Sequence, residues 1–347
     1  MAEKTKIEWC DATVNIWQGC VKVAPGCKNC YAERDVGRWG FDVWGKLKPR
    51  LLCSGWEGKL RALDRKAKRL GRKLKVFINS ESDFFEDHRG VVIDRNNRPT
   101  EWKVHELRAR AFEVFAELDG LIILLVTKRP ENVPGMWSRN SNAAAANLWG
   151  KRTGVAGGLN ASVARPNVWI GASISDQETA EKVVPELQKC RGLSPVLFLS
   201  IEPLLDSIEL TYLKHDRTGW IDALGGIRRT ALSQNVCPGI DWIIVGGESG
   251  PDSRLCNVEW IRSIVKQCRT AGVPCFVKQL GAKVVEYRKR SAASVLFPMG
   301  VPENVEVTGF VESNRTLSFR HRKGGDPAEW PADLQHVREF PHYEVSA

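Results

Sequence analysis

Three cysteines near the start of the chain have the spacing of metal ligands. Cys20, Cys27 and Cys30 lie in the stretch "GCVKVAPGCKNCYAER" and follow the pattern C-x6-C-x2-C. A structural zinc site is usually closed by four ligands, and this stretch supplies three. Thiolates also bind iron–sulfur clusters, and a 4Fe-4S cluster on three thiolates leaves one iron open to a small molecule. The spacing leaves three interpretations: zinc with a distant fourth ligand, an open cluster, or cysteines that bind no metal.

S-adenosyl-L-methionine suits an open cluster, because its amino and carboxylate groups can bind one metal ion together. An electron passed from the cluster to the sulfonium would break a carbon–sulfur bond and give a 5′-deoxyadenosyl radical. The protein's part in such chemistry is to hold the cofactor in position, so the elements around the cysteines bear on the choice between the interpretations.

Seven short apolar runs recur along the chain, with amphipathic segments between them. The runs are near-continuously hydrophobic, which is typical of parallel strands buried on both faces. Segments 103–118, 177–189 and 257–271 carry apolar residues on one helical face. Strands alternating with helices predict an α/β fold, and seven strands favour a partial (β/α) barrel over a small open sheet. The predicted strands are 13–17, 75–79, 121–127, 167–174, 195–201, 241–247 and 274–279.

The chain divides into a barrel and an extension. We predict a partial barrel over 1–284, with insertions at 131–166 and 206–239, because both segments break the alternation of strands and helices. Beyond residue 285 the alternation is lost, so 285–347 is predicted to be a C-terminal extension.

Polar residues and glycines follow the apolar runs directly. In parallel α/β folds, ligands bind at the C-terminal ends of strands, where loops and helix N-termini meet. A barrel would point all seven ends at one mouth, and the cysteine loop, which follows the first run, would lie at the same mouth. This placement favours the open cluster and resembles the radical S-adenosylmethionine superfamily. The residues at these ends are Asn79, Ser80, Ser82, Asp83, Thr127, Lys128, Ser173, Ser200, Glu202, Gly246, Gly247, Glu248 and Lys278.

A closer resemblance covers roughly residues 5–285. Seven motifs occur in order: "KIEWCDATVNIWQGCVKVAPGCKNCYAER", "INSESDFFEDH", "LLVTKRPENV", "NVWIGASISDQETAEKVVPEL", "LSIEPLL", "DWIIVGGESGPDSR" and "PCFVKQLG". Together they resemble a phage-associated family of radical-S-adenosylmethionine-like proteins that is named after two mycobacteriophage gene products. The resemblance implies a 4Fe-4S cluster on Cys20, Cys27 and Cys30, with S-adenosylmethionine bound along the strand ends.

Two departures from the superfamily pattern shape the expected roles. The six-residue gap between the first two cysteines is longer than in most radical S-adenosylmethionine enzymes, and the Gly-Gly-Glu sequence follows the sixth strand instead of the second. We therefore expect Ser80, Ser82 or Asp83 to bind the amino group of the cofactor, and the backbone of Gly246 and Gly247 to meet its adenine or ribose. The whole expected cofactor site is Tyr31, Asn79, Ser80, Ser82, Asp83, Thr127, Lys128, Ser173, Ser200, Glu202, Gly246, Gly247 and Glu248, and the expected catalytic residues are Glu202, Glu248 and Lys278.

The charge of the chain favours a polyanionic partner. Lys and Arg number 51 against 41 for Asp and Glu, a formal charge of +10. Segment 59–75 carries nine Lys or Arg residues; such a helix is either an ordinary solvated surface or a nucleic-acid contact that tracks phosphates. Trp44 and Trp56 lie nearby and could stack on bases, although a tryptophan at such a place is more often a packing residue. The predicted nucleic-acid contacts are Lys59, Arg65, Lys66, Arg69 and Arg72, with DNA favoured over RNA.

Three functions remain in competition. The leading one is a radical S-adenosylmethionine enzyme that modifies or repairs a base in nucleic acid, with phage DNA favoured and a flavodoxin or ferredoxin as electron donor. The second is a nucleic-acid-binding protein stabilised by zinc or an iron–sulfur cluster, without radical chemistry. The third is a radical enzyme acting on a free nucleotide or another small molecule. The N-terminus is polar, and no apolar run approaches the roughly 18 residues of a membrane span, so we expect a cytoplasmic protein (the host cytoplasm, if phage-encoded) with no membrane partner.

Overall fold

A parallel sheet of seven strands forms the centre of the computed structural model, which describes Thr5 and residues 7–139, 165–215, 219–230, 233–291 and 310–342. Most of the predicted insertion at 131–166 lies outside the described residues. The strands are β1 (Ala12–Val14), β2 (Trp17–Gln18), β3 (Arg50–Leu52), β4 (Leu74–Ile78), β5 (Val92–Ile93), β6 (Leu121–Thr127), β7 (Val168–Ile174), β8 (Leu197–Ile201), β9 (Leu213–His215), β10 (Gly219–Asp222), β11 (Ile227–Arg229), β12 (Gln234–Val236), β13 (Trp242–Gly246), β14 (Cys256–Asn257), β15 (Cys275–Gln279), β16 (Val284–Ser291) and β17 (Phe310–Leu317).

The helices connect the strands of this sheet and begin and end at recognisable caps. Asp176 caps α5 (Gln177–Gln188) by accepting from Thr179 N at 2.9 Å. Asn257 caps the start of α6 (Val258–Ala271), and Gly272, with a φ of 69°, caps its end. Both boundaries lie where the sequence pattern predicts them. The helices are α1 (Tyr31–Arg38), α2 (Trp56–Leu70), α3 (Val104–Glu117), α4 (Val133–Arg139), α5 (Gln177–Gln188) and α6 (Val258–Ala271).

The strand order of the central sheet is β1-β4-β6-β7-β8-β13-β15, and every neighbouring pair is parallel. Each strand therefore lies beside the one before it in the chain, as in a (β/α) barrel. The sheet ends at β1 and β15, which do not pair with each other, so the barrel is partial. The predicted α/β fold with a partial (β/α) barrel of parallel strands is confirmed, and each of the seven predicted runs overlaps one strand of the central sheet.

The sheet curls around Trp9, which precedes the first strand. The Trp9 ring lies 4.8 Å from that of Phe77 on β4, 6.5 Å from that of Phe198 on β8 and 6.2 Å from that of Trp242 on β13. β4 is separated from β8 and β13 by β6 and β7, so only a curved sheet brings side chains from all three strands to one ring. Side chains alternate along a strand, and the inner face is therefore aromatic near the strand starts and polar at the strand ends, where Ser200 and Lys278 lie.

The C-terminal segment covers the edge strand β15. Val277 N donates to Val337 O at 2.8 Å, and Phe340 packs against Trp242 and Phe276 with ring separations of 5.5 and 5.3 Å. Arg338 reaches Glu8 at 2.8 Å, close to Trp9 in the chain. The segment thus closes the aromatic end of the partial barrel. The domain boundary at 284/285 stays a prediction.

The predicted insertion at 206–239 contains a separate antiparallel sheet of order β12-β11-β10-β9. Leu213 and Ile221 belong to the main core, so one face of this sheet packs on the barrel. Two further small sheets, β2-β3-β5 and β14-β16-β17, flank the central one. Within the described ranges, no helix has the length and apolar character needed to cross a membrane.

A candidate cofactor cavity at the strand ends

The cysteine loop is held in a compact shape by its own residues. Gly19 has a φ of 105°, and a Cβ there would lie 2.5 Å from Val43 O, so this position requires glycine. A short 3-10 turn spans Pro25–Cys27, and α1 begins at Tyr31 directly after Cys30. The loop therefore turns back on itself between its first and second cysteines.

One cavity of about 240 Å³ opens at the C-terminal edge of the central sheet. Cys20, Cys27 and Cys30 all line it, together with most of the residues predicted from the strand ends. Gly246 does not line it and forms the end of β13. The predicted residues on its wall are Tyr31, Asn79, Ser80, Ser82, Asp83, Thr127, Lys128, Ser173, Ser200, Glu202, Gly247, Glu248 and Lys278.

Arg129 connects the first cysteine to two strand ends. Its Nη1 donates to Asp83 Oδ2 at 2.7 Å and lies 3.8 Å from Cys20 Sγ, and its Nη2 donates to Val21 O at 2.8 Å. Asp83 is itself fixed, since it accepts from Thr127 Oγ1 at 2.7 Å as well as from the amides of Phe85 and Lys128. Arg129 was not among the predicted site residues, although it follows Thr127 and Lys128 at the end of β6.

A second set of contacts, separate from those of Arg129, joins the cysteine loop to the end of β13. Glu248 accepts from Arg254 Nε at 2.9 Å and from Asn29 Nδ2 at 3.1 Å, and Arg254 Nη1 donates to Pro25 O at 2.9 Å. Burial alone would raise the pKa of Glu248, but the hydrogen bonds from Arg254 and Asn29 outweigh it and hold that pKa below its usual range. The contacts favour a positioning role for Glu248, and its predicted catalytic role stays a prediction. Asn29 and Arg254 were also missed.

Asp83 differs from the other two residues expected to meet an amino group. Its carboxylate is occupied by Arg129, Thr127 and two backbone amides, so it serves to hold the loop. Ser80 Oγ donates to Asn15 at 3.3 Å, and Ser82 Oγ donates to Trp17 O at 2.9 Å. Both hydroxyl oxygens keep acceptor capacity toward the cavity.

Two neighbours of those serines offer further polar atoms. Glu81 accepts from Asn15 Nδ2 at 2.8 Å and from Gln18 Nε2, both on its Oε2. Asn79 has a φ of 58° and is 2% exposed, and its Nδ2 has no hydrogen-bond partner among the described residues. A buried amide without a partner on a cavity wall suits a polar ligand. Glu81 was not predicted, although it lies inside the polar run at the end of β4.

Two lysines occupy the inner wall. Lys278 Nζ contacts both carboxylate oxygens of Glu202, at 2.9 and 3.0 Å. Lys128 Nζ donates to Ser173 Oγ, which in turn donates to Glu202 O at 3.2 Å. The predicted catalytic pair Glu202 and Lys278 is thus a direct ion pair that faces the cavity.

The two glycines at the end of β13 lie close to the backbone of a neighbouring segment, and this packing explains why glycine occurs there. A Cβ on Gly247 would lie 2.1 Å from Leu280 O, and one on Gly246 would lie 3.0 Å from Gln279 O. Close approach of the backbone directly after β15 therefore requires glycine at 247. The expected contacts of both glycines with adenine or ribose stay predictions.

The three loop cysteines are partly buried, and the thiols of Cys20 and Cys30 resist ionisation. Burial raises the pKa of Cys20 to about 12, with Asp83 and Glu86 adding to the effect and Arg129 opposing it. Burial also raises the pKa of Cys30. Binding a metal as thiolates would therefore release protons from this loop.

The described residues contain no group of three His, Cys, Asp or Glu side chains gathered tightly enough to hold one metal ion. A 4Fe-4S cluster is held by cysteines that bind separate irons, so its ligands need to surround one cavity and need not converge on one point. Three cysteines around a single cavity, beside the unpartnered amide of Asn79, fit such a group.

The predicted nucleic-acid contacts lie on α2 and just after it, and their side chains are exposed. Arg72 pairs with Asp11 at 2.8 Å, at the N-terminal edge of the central sheet and so at the end opposite the cavity. Trp56 is 6% exposed and packs in the core, so the expectation that it stacks on bases is wrong. Trp44 lines the cavity. Nucleic-acid binding by Lys59, Arg65, Lys66, Arg69 and Arg72 stays a prediction.

A family model described as "Protein of unknown function (DUF5131)" matches residues 4–297. Solved structures of spore photoproduct lyase are also similar to parts of the chain: a double mutant with bound AdoMet and dinucleoside spore photoproduct at 11% identity, and a complex with dinucleoside spore photoproduct at 12%. Each has a TM-score of 0.36 and covers 58% of this chain and 48% of the lyase chain, so the match spans about half the length of those structures. No curated protein matches the chain.

Proposed function

The chain belongs to the DUF5131 family of proteins of unknown function, and from its cavity we propose that it is a radical S-adenosylmethionine enzyme that modifies or repairs a base in nucleic acid. Phage DNA is the favoured substrate, and a flavodoxin or ferredoxin the favoured electron donor. The observation that carries the proposal is the presence of all three loop cysteines on the wall of one cavity, at the polar end of a parallel partial barrel.

In this proposal Cys20, Cys27 and Cys30 hold a 4Fe-4S cluster. When bound, the reduced cluster supplies the electron that cleaves S-adenosylmethionine to a 5′-deoxyadenosyl radical. Arg129 holds Cys20 in place through its bonds to Asp83 and Val21 O.

The cavity wall supplies contacts for a polar cofactor and a substrate. The oxygens of Ser80, Ser82 and Glu81 accept hydrogen bonds from an ammonium group, and Asn79 Nδ2 donates a hydrogen bond to an acceptor oxygen of the bound molecule. The ion pair of Glu202 and Lys278 lies across the same space and orients polar groups of the substrate.

Anaerobic reconstitution of the full chain with iron and sulfide tests the cluster. We expect about four irons per chain, consistent with a cluster of that type, and release of 5′-deoxyadenosine when dithionite and S-adenosylmethionine are added. Alanine at Cys20, Cys27 or Cys30 should abolish both iron binding and 5′-deoxyadenosine formation, measured by iron assay and chromatography. The matched control is Cys237→Ser, because Cys237 lies in the 206–239 insertion and does not line the cavity.

The outcomes separate the three candidate functions. A colourless protein that holds one zinc contradicts radical chemistry and supports a metal-stabilised binding protein. Cleavage of S-adenosylmethionine that a free nucleotide stimulates and DNA does not supports the small-molecule enzyme. Mass spectrometry of nucleosides from DNA made with and without the gene identifies a modified base directly, and identical nucleoside profiles argue against DNA modification.

A further inference from the structure

The antiparallel sheet of β9 to β12 presents a second face that the proposed chemistry does not use. Its first face packs on the barrel through Leu213 and Ile221. On the opposite face, the register places Lys214 and Arg229 directly beside Trp220, one on each neighbouring strand. The indole is therefore flanked by a cation on both sides.

The aromatic and guanidinium groups of this face form a continuous surface. The rings of Tyr212 and Trp220 lie 5.4 Å apart at 34°, and the Arg229 guanidinium carbon lies 5.5 Å from the Trp220 ring centre. Gln234 accepts from Arg229 Nε at 2.7 Å, which holds the guanidinium in place. Tyr212 is 53% exposed, so the surface is open to a ligand. We call these side chains, with Lys214, the aromatic platform.

The size of the platform limits what it can bind. Four strands of three or four residues span about 14 Å by 10 Å. A stable protein interface buries about 800 Å² on each partner, several times this area. Two or three stacked nucleobases fit it, as they do on other four-stranded sheets that carry aromatic residues.

The charges of the platform also suit a nucleic acid. Lys214 and Arg229 are exposed beside the rings and available to phosphates. Asp222 lies on the same face two residues beyond Trp220 on β10, and its Oδ1 accepts from the amides of Leu224 and Gly225. That carboxylate is engaged with the turn that follows β10, so its charge is partly compensated by those amides.

The platform lies close to the rim of the cavity. Tyr212 O accepts from Gln177 Nε2 at 3.4 Å, and Gln177 begins α5 just after β7. Ser175, in the same connection, packs so tightly on the cysteine loop that a Cβ on Gly26 would lie 2.2 Å from its Oγ. One connection thus contacts both the platform and the loop.

We propose that the aromatic platform binds single-stranded nucleic acid beside the base that enters the cavity. The inference rests on the proposed function for what happens in the cavity. The binding itself needs neither cluster nor cofactor, so it can be measured on the cluster-free chain.

The test is fluorescence anisotropy of a labelled single-stranded oligothymidylate with the cluster-free full chain at several salt concentrations. Trp220→Ala and Tyr212→Ala should each weaken binding about tenfold, since stacking of one base is worth about 1–3 kcal/mol. Arg229→Gln should reduce the slope of log affinity against log salt by about 0.7, the value for one phosphate on a single strand. Circular dichroism and thermal melting check that each variant folds.

Tyr287→Ala is the matched control, because Tyr287 is 41% exposed on β16 and lies outside the platform. Folded platform variants that bind like the wild type overturn the inference. Loss of binding that occurs only in an Arg65→Gln, Lys66→Gln variant of α2 also overturns it. The same holds if a duplex binds as tightly as the single strand and loses as much affinity in the platform variants. Oligoglutamate that competes as well as unlabelled oligothymidylate would show plain anion binding and also overturn it.

The two proposals fail separately. If the chain releases 5′-deoxyadenosine but its platform variants bind the oligothymidylate normally, the proposed function stands and the platform inference is overturned. If the platform variants lose binding but the chain assembles no cluster, the platform inference stands and the proposed function is overturned.

Discussion

At the scale of single residues, the site is defined by contacts that hold the cysteine loop. Arg129 and Arg254 each join a loop carbonyl to a buried carboxylate, Asp83 in one case and Glu248 in the other. Removing one partner of a buried ion pair leaves the other charge uncompensated. Asp83 and Glu248, which the sequence predicts to be cofactor-binding or catalytic residues, therefore also hold the loop in place.

Glu81 differs from Glu248, because its folded environment opposes ionisation. Burial, with Asp35 adding to it, raises the pKa of Glu81, although a hydrogen bond from Gln18 opposes this. The unfolded chain therefore loses this proton at a lower pH than the folded chain does. Ionisation of Glu81 consequently costs stability above its folded pKa and nothing well below the unfolded value of about 4.3.

We expect Glu81→Gln to raise the melting temperature at pH 7, with the gain vanishing as the pH falls below about 4. The measurement is thermal melting of both proteins between about pH 3 and 8. Glu101→Gln is the control, since Glu101 is exposed and should show no such trend. A gain that is independent of pH, or a loss at pH 7, would contradict the assignment.

At the scale of elements, a glycine in the turn after β13 and a glycine on helix α2 differ in the space around them. Gly247 lies against the backbone of Leu280, which cannot move without shifting the strand that carries Lys278. Gly58 lies on α2 with no atom within 4 Å of an added Cβ. Sequence alone cannot distinguish these two glycines, because only the neighbouring strand shows which one is crowded.

Alanine should act in opposite directions at the two positions. Gly247→Ala should lower the free energy of unfolding by about 1–3 kcal/mol through overpacking. Gly58→Ala should raise it by up to about 1 kcal/mol through helix propensity. Denaturant titration of both variants measures the difference, and a neutral Gly247→Ala would show that the β15 backbone adapts.

At the scale of the whole molecule, aromatic side chains from the N-terminal and C-terminal parts of the chain pack together at one end of the partial barrel. Trp9 fills the inside of the curved sheet, and Phe340 packs on Trp242 and Phe276 from the other end of the sequence. Lys75 adds a cation–π contact at 4.3 Å from the Phe340 ring centre. The aromatic base supports the strands whose opposite ends form the cavity.

Phe340→Ala should lower the free energy of unfolding by about 2 kcal/mol, roughly half the cost at a fully buried phenylalanine, since this ring is half-buried. Denaturant unfolding followed by tryptophan fluorescence is the measurement. Leu47→Ala, at a side chain that is 95% exposed, should leave stability unchanged. Equal stability of both variants would mean that the tail is not part of the core.

The sequence by itself determined the seven strands, the ends of α5 and α6, and the gathering of polar strand ends with the cysteines at one mouth. Burial on both faces produces continuous apolar runs, and parallel strands in chain order share one edge, so local patterns carry this information. Only the tertiary structure decided which polar groups face each other. Arg129 meets Cys20 across 109 positions and Asn29 meets Glu248 across 219, and no local pattern encodes such pairs. The platform of Tyr212, Trp220 and Arg229 depended likewise on the cross-strand register of a sheet within a segment that reads only as an insertion.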